Sequence, residues 1–461
     1  MKRKFVSLII IMMGVGNALA VGAQPDVALT VYNQDLALVK EVRSLEFKPG
    51  IFDYRFSEVP SRIDPTSVHF KPRQSIDKIS ILEQNYQYDL VSPDKIFDKY
   101  LDHQITAIGK NGQLYEGTLL SRSGESVVVQ GKDGSLSVVR TEELTDYKFD
   151  KLPDGLLTRP TLVWKFDSAV KGPIDCEVSY LTNGMNWHSE YVAVVAEDDK
   201  SLELSGWVSI ENNSGGSFKN ARVKLIAGDI HRVPAKGIEG AYGMNAFRSE
   251  AKVAPQFEEK AFFEYHLYTL QRRADILSNE IKQITLFPAS EVKARKVYTY
   301  DRGYGRRGDG TKVKVSLEFK NGQAEGLGTP LPKGTIRVYK VDSDKSLEYV
   351  GEDEIDHTPK DEMVRVYVGD AFDIIGEPKA ADFKEISSSV SEESYEVKLR
   401  NHKKEKVEVV VVEKLWKSTD WEIIKSNFDF HKKDANTIEF TIPVSPDGET
   451  ILTYTVRYKR F

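Results

Sequence analysis

Apolar and polar residues alternate along most of this chain. The run "VALTVYNQDLALVKEVRSLEFKPGIFDYRF", Val27 to Phe56, keeps a period of two and breaks only at "KPG", Lys48 to Gly50. That spacing predicts two half-buried strands joined by a tight turn. The next phrase, "SEVPSRIDPTSVHF", carries Pro60 and Pro65 and suits a connection into another short strand. At "SPDKIFDKYL" the period changes. Ser92 can cap, Pro93 suits the first helical position, and Ile96, Phe97, Tyr100 and Leu101 share one face, which predicts a short helix. Four brief strands follow, "QITAIG", "LYEGTLL", "SVVVQ" and "LSVVR", separated by Asn111-Gly112, Ser123-Gly124 and Asp133-Gly134. Such pairs supply the positive φ of hairpin turns.

From Leu162 the chain reads as a long meander with turns at Asn183-Gly184 and Ser214-Gly215-Gly216. In "NWHSEYVAVV", Trp187, Ser189 and Tyr191 fall on one strand face, and His188 and Glu190 on the other. The two aromatics read as core residues rather than a sugar-stacking platform. Residues 232–260 lose the period and are rich in Gly and Ala, as in a long mobile loop. "QRRADILSNEIKQITLF" reads as a hairpin, and "EPKAADFKEISSSVSEES" as an acidic, Ser-rich linker before a last run of closely spaced strands.

The predicted fold is all-β and multi-domain. Residues 24–90 form an N-terminal β domain, and 91–150 a small SH3-like barrel. Residues 151–376 form a central β-meander or sandwich containing the mobile loop 232–260. Residues 394–461 have the strand density of an immunoglobulin-like sandwich.

The first residues add a compartment. Lys2, Arg3 and Lys4 precede the apolar run "FVSLIIIMMGVG", and small residues reach Ala23. This is the three-part pattern of a secretory signal, residues 1–23, cut after Ala23 with Ala20 as the alternative. The apolar run falls short of the roughly twenty residues a spanning helix needs. No later segment is apolar enough to span, so the mature chain is expected to have no transmembrane segment and to occupy the periplasm or cell surface. The formal net charge is −6, and removing the leader's three cations makes it more negative. Nucleic acid is therefore not expected as a partner. Cys176, the only cysteine, cannot form an internal disulfide, and its alternating context "IDCEVSY" marks a buried apolar position.

Candidate chemistry is sparse. The eight histidines are scattered, with no H-E-x-x-H, and no P-loop, dinucleotide fingerprint or G-x-S-x-G elbow occurs. No cofactor is expected. Asp353, His357 and Asp361 in "GEDEIDHTPKDEMVRVYVGDAF" could form a carboxylate–imidazole group able to move a proton. The preferred reading is a structural corner, in which Pro359 fixes φ and side chains satisfy turn amides, because chemistry would need an enclosing pocket that the sequence does not show. His188 with Glu190 could bind a ligand or simply face solvent. Asp229 and His231 could both touch a metal, but two ligands do not make a site.

Several phrases occur in an order that resembles a known group: "TVYNQDLALVKEVR", "VPSRIDPTSVHF", "SYLTNGMNWHSEYVAVV", "LSGWVSIENNSGGSFKNARVKLIAGDI", "EYHLYTL", "KQITLF", "GEDEIDHTPKDEMVRVYVGDAF" and "LRNHKKEKVEVVVVE". Together they are similar to the bacterial envelope proteins grouped as domain of unknown function 4139. The resemblance implies an exported, largely immunoglobulin-like β-protein and carries no catalytic residue with it. This chain departs from the group's pattern at Asp361, where a glycine is common. Two function classes follow. One is a binding or scaffolding protein for an envelope protein or polysaccharide. The other is an exported hydrolase of a cell-wall or peptide substrate, with its site between the central and C-terminal domains.

Overall fold

The computed structural model describes residues 25–228, 256–262, 265–303, 312–416 and 419–460. The leader, Asp229 and His231 lie outside the described residues, as does most of the 232–260 segment. Its described end, Phe257–Lys260, is not loop but part of the strand Phe257–Phe262, which pairs with Tyr265–Leu270.

The chain is all-β. Twenty-nine strands and one α-helix occur among the described residues. The helix is Pro93–Lys99, with Ser92 Oγ accepting from the Lys95 amide at 3.3 Å and proline at its start. Phe97 and Tyr100 on its inner face are buried. No helix among the described residues is long and apolar enough to cross a membrane.

The period-two reading holds strand by strand, but the partners of several strands are remote. Asp26–Tyr32 pairs antiparallel with Leu36–Phe47 and also in parallel with Phe218–Ala227 (Leu29 opposite Val223). Leu36–Phe47 pairs in turn with Gly172–Thr182, which pairs with Ile63–Pro72. Gly50–Ser57 and Ile79–Gln87 flank Thr161–Ser168 in a separate three-stranded sheet. The expected N-terminal domain 24–90 is therefore not a unit. Its strands share two sheets, and one core, with strands from 161 to 227. The core centres on Trp164, which is fully buried among Phe56, Phe70 and Phe166.

The five-stranded sheet of residues 104–148 is inserted into this body. Its strand order places Leu144–Lys148 beside Gln104–Gly109. Leu136–Arg140 and Leu144–Lys148 are not paired, so the sheet stays open and is not a closed barrel. A small separate core of Phe97, Tyr100, Ile105, Leu119, Val127 and Val129 holds it to the helix.

Two further expectations change. Residues 271–287 are not a hairpin: Ala274–Ile276 pairs with Phe218–Ala227, whereas Glu280–Asp301 pairs with Ser201–Asn212. The expected linker after residue 376 is a hairpin between Met363–Ser387 and Val390–Asn401. Its outer end exposes both faces, so no apolar alternation marks it.

The border between central and C-terminal units also moves. A thirteen-stranded sheet system runs through both. Glu280–Asp301 lends Ile284, Leu286 and Val292 to the first core, and Tyr298 and Tyr300 to a second. Lys312–Lys320 and Met363–Ser387 are shared in the same way, through Leu317 and Val313, and through Val366 and Ile374. Residues 394–461 do not close their own sandwich. Val407–Lys414 takes Glu280–Asp301 as a parallel neighbour, Tyr298 opposite Val409.

Where these three strands cross between the cores, Arg295, Glu318 and Arg365 sit in direct cross-strand register. Arg295 donates to Glu318 Oε2 at 2.9 Å (Nε) and 2.6 Å (Nη2), and Arg365 Nε donates to Oε1 at 2.6 Å. Burial alone would raise the Glu318 carboxyl, but Arg365 and Arg295 together hold it below its ordinary range. Its contribution to stability is thus complete above the unfolded glutamate range and is lost as pH falls through the lower folded value. Glu318→Gln should cost about 1–2 kcal/mol near neutral pH, since the arginines are partly solvent-screened. The difference from wild type should shrink between about pH 5 and pH 3, which denaturant melts at a series of pH values would read.

Candidate functional site

In the strand Met185–Val195, alternation sends Trp187 and Tyr191 into the core, where both are buried. Trp187 Nε1 donates to the Ile226 carbonyl at 3.0 Å, and the Tyr191 hydroxyl to that of Pro332 at 2.6 Å. Both are structural, as the sequence indicates. His188 and Glu190 lie on the opposite face, with Nε2 and Oε1 3.5 Å apart. Glu190 also accepts from Gln283 at 2.8 Å and faces Arg337 at 3.8 Å, while Arg337 reaches Glu352 at 3.3 Å. The His188 hydrogen bond, then the charges of His188 and Arg337, hold the Glu190 carboxyl below its ordinary value against its own burial. The pair belongs to a cross-strand polar network, so Glu190 stays ionised and committed.

Asp353, His357 and Asp361 each serve a backbone group. Asp353 Oδ2 accepts the Tyr367 amide at 2.7 Å, stitching Leu347–Ile355 to Met363–Ser387. His357 Nδ1 accepts the Lys333 amide at 3.0 Å, so a neutral ring carries its proton on Nε2. That nitrogen lies 3.4 Å from Asn33 Nδ2; a half-turn of the amide would offer it Asn33 Oδ1, which is otherwise buried without a partner. Next to His357, Thr358 exchanges two backbone hydrogen bonds with Leu331 at 2.9 Å. Asp361 holds φ 68° and donates its amide to the Asn321 carbonyl at 2.8 Å. The left-handed backbone at this position is the conformation glycine adopts without cost.

Cys176 is fully buried, and burial pushes its thiol up to about 12, as for an inert core residue. No group of three or more His, Cys, Asp or Glu able to hold a metal occurs among the described residues.

What sequence reasoning missed is a cleft of about 790 Å³ where the N-terminal sheets meet the 158–160 segment and the Ser214-Gly215-Gly216 turn. Glu41, almost fully buried, forms part of its wall. Tyr180 donates to Glu41 Oε1 at 2.5 Å, and Arg43 Nε donates to Oε2 at 2.7 Å. Arg43 also lies 4.3 Å over the Phe56 ring. The rim carries Arg159, paired with Glu58, and Lys219, which has no side-chain partner among the described residues. The opposite wall is rigid. Asn212, fully buried, donates to the Gly216 carbonyl at 2.8 Å and accepts from Ser214 Oγ at 2.7 Å. A Cβ on Gly215 would lie 2.1 Å from Ser61 Oγ, so the turn requires glycine there.

A signal for this cleft was present. In "LALVKEVRSLEF" the inward positions are odd, and Glu41 and Arg43 place charge on that parity. No family model and no curated protein matches the chain.

The corner assignment gives a paired expectation. His357→Ala should cost about 1 kcal/mol by stripping the Lys333 amide of its acceptor. Asp361→Gly should add roughly 0.5–1 kcal/mol by relieving the left-handed backbone. Chemical denaturation of both variants measures this; a stabilised His357→Ala protein would point back to a functional histidine.

Proposed function

We propose that this chain is an exported envelope protein that binds or scaffolds an envelope component through the clefts between its β units, without catalysing a reaction. The observation that carries the reading is the preformed cleft around Glu41. Its buried carboxylate is already saturated by Tyr180 and Arg43, which suits a rigid recognition wall better than a proton-transfer group. Its rim offers Lys219, Arg159 and Glu58 at the surface, where a polar partner could exchange their solvent contacts. The leader-like segment before Ala23 and the resemblance to domain of unknown function 4139 support export to the periplasm or cell surface.

Expressed in a Gram-negative host, the chain should be released by osmotic shock, shortened after Ala20 or Ala23. The purified protein, immobilised, should retain a component of envelope extract that an Arg159→Glu, Lys219→Glu double variant no longer retains at an unchanged melting temperature. Release of soluble fragments from the same extract, abolished by His357→Ala, would replace this reading with the hydrolase.

A further inference from the structure

A second cleft, of about 630 Å³, lies on the other side of the point where the chain enters and leaves the five-stranded unit. Two crossing segments build it. Leu90 bridges Leu157 in parallel, with the Val91 amide donating to Leu157 and the Leu157 amide to Asp89, each at 2.9 Å. One wall is an aromatic platform at the end of the strand Ile79–Gln87. Tyr86 and Tyr88 point to the same side of the extended chain, and their rings stack with centroids 5.5 Å apart and planes 24° from parallel. Tyr86 is anchored by its hydroxyl to the Ser61 carbonyl at 3.3 Å. Tyr88 is 68% exposed, so a large flat ring is held in place without burying its outer face. The facing wall is the turn Leu152 to Gly155, where Gly155 adopts φ 88°.

The polar groups of this cleft are available. Arg55, Gln87 and Asp154 line it, and none has a side-chain hydrogen bond or ion pair among the described residues. Asp89, also in the lining, is held by Lys95 at 2.7 Å and Lys99 at 4.0 Å. With Asp89 engaged by Lys95 and Lys99, Arg55 and Asp154 remain as one unpaired charge of each sign in the lining, which gives a charged polymer no single-sign surface to bind. A flat ring with planar amide, carboxylate and guanidinium groups at its edge matches one ligand chemistry well. A pyranose ring presents an apolar C–H face for stacking and a rim of hydroxyls that both donate and accept.

We propose that the Tyr86–Tyr88 cleft is a binding subsite for a neutral saccharide, with Tyr88 as the stacking surface and Gln87, Arg55 and Asp154 as hydroxyl partners. The site deepens the binding reading above and rests on it for its setting, but it is tested on the purified protein with defined sugars, independently of export or extract capture. Because Tyr86 already fixes the platform, little ordering is needed on binding.

The probes are maltotetraose, cellotetraose and tetra-N-acetylchitotetraose, observed by saturation-transfer NMR and titrated by calorimetry. At least one should bind, with transfer strongest at the ring C–H protons. Tyr88→Ala should weaken it at least about tenfold while shifting the melting temperature little, since the side chain is exposed. Tyr88→Trp should retain it within about threefold, and Asp154→Ala should weaken it. Failure of all three sugars at about 10 mM, or affinity indifferent to Tyr88→Ala, would overturn the assignment. A proline-rich decapeptide that binds in a Tyr88-dependent way where the sugars do not would overturn it in favour of an extended peptide. None of these results alters the outcome expected for the Arg159, Lys219 variant in envelope capture.

Discussion

Three strands, Glu280–Asp301, Lys312–Lys320 and Met363–Ser387, pass from one hydrophobic core into the next, and most of the architecture from residue 185 onward depends on them. The first has 22 residues, so at the usual rise it spans roughly 70 Å of nearly continuous ladder. Parity makes this possible. In Lys312–Lys320, Val313 faces the second core and Leu317 and Phe319 the first, all on odd positions. One strand face therefore serves two cores in succession, and the other is left to polar residues. At the crossing those residues are Arg295, Glu318 and Arg365, a carboxylate held by two guanidinium groups across three strands. A carboxylate this well covered costs free energy to desolvate. Two charge-assisted partners in cross-strand register offset that cost and fix the alignment of the strands. A slip by one residue would turn both cores outward.

Local structure was largely legible because period-two parity is a local property. The helix after Ser92, the inward Trp187 and Tyr191 and the buried Cys176 follow from residues within a few positions of each. Strand partners are not local. Nothing in "VALTVY" announces a parallel neighbour nearly two hundred residues later, and nothing in "KVEVVVV" announces Tyr298 beside Val409. The domain borders drawn from composition failed for the same reason. The "linker" after residue 376 is polar because the first strand of its hairpin, from Lys379 to Ser387, is solvated on both faces, which composition cannot distinguish from irregular chain. The cleft around Glu41 was half legible: parity marked the charges, but its walls come from six separate stretches of the chain. The Tyr86–Tyr88 platform continues the alternation past the end of a strand: Tyr86 packs against the first core, and only the exposure of Tyr88 shows that the second ring does not.

A recurring device closes the strand ends. Asn212, Asn321 and Asn401 are each fully buried, and each directs its side-chain amide at carbonyls of the turn or segment packed against it. Asn321 donates to Thr329 and Pro359 and accepts from the Gly328 amide, so it ties the His357 corner to the strand Lys312–Lys320. Burying an amide is costly unless its hydrogen-bonding capacity is used. Here a single side chain satisfies several backbone groups that have left the ladder. The corner that attracts attention in the sequence for its acids and histidine is thus a backbone problem solved with polar side chains, and His357 completes it by accepting the Lys333 amide.

The inserted five-stranded unit explains where open surface is concentrated. It joins the body through two short chain crossings near Leu90 and Leu157, with its own small core and no strand shared with the larger sheets. Two convex bodies joined at such a narrow neck leave concave space beside it. Both clefts flank this neck, one bearing Leu90 and Arg159, the other Asp89 and Leu157. Their polar linings follow from the same geometry. Val27, Val59, Phe218 and Tyr86 turn from these linings toward the first core, while the polar residues beside them stay in water and can exchange it for a ligand. Recognition surface in this fold therefore arises at the junction the insertion creates, whereas the long shared strands, committed on one face to two cores and on the other to cross-strand ion pairs, supply the rigid frame that holds that junction in shape.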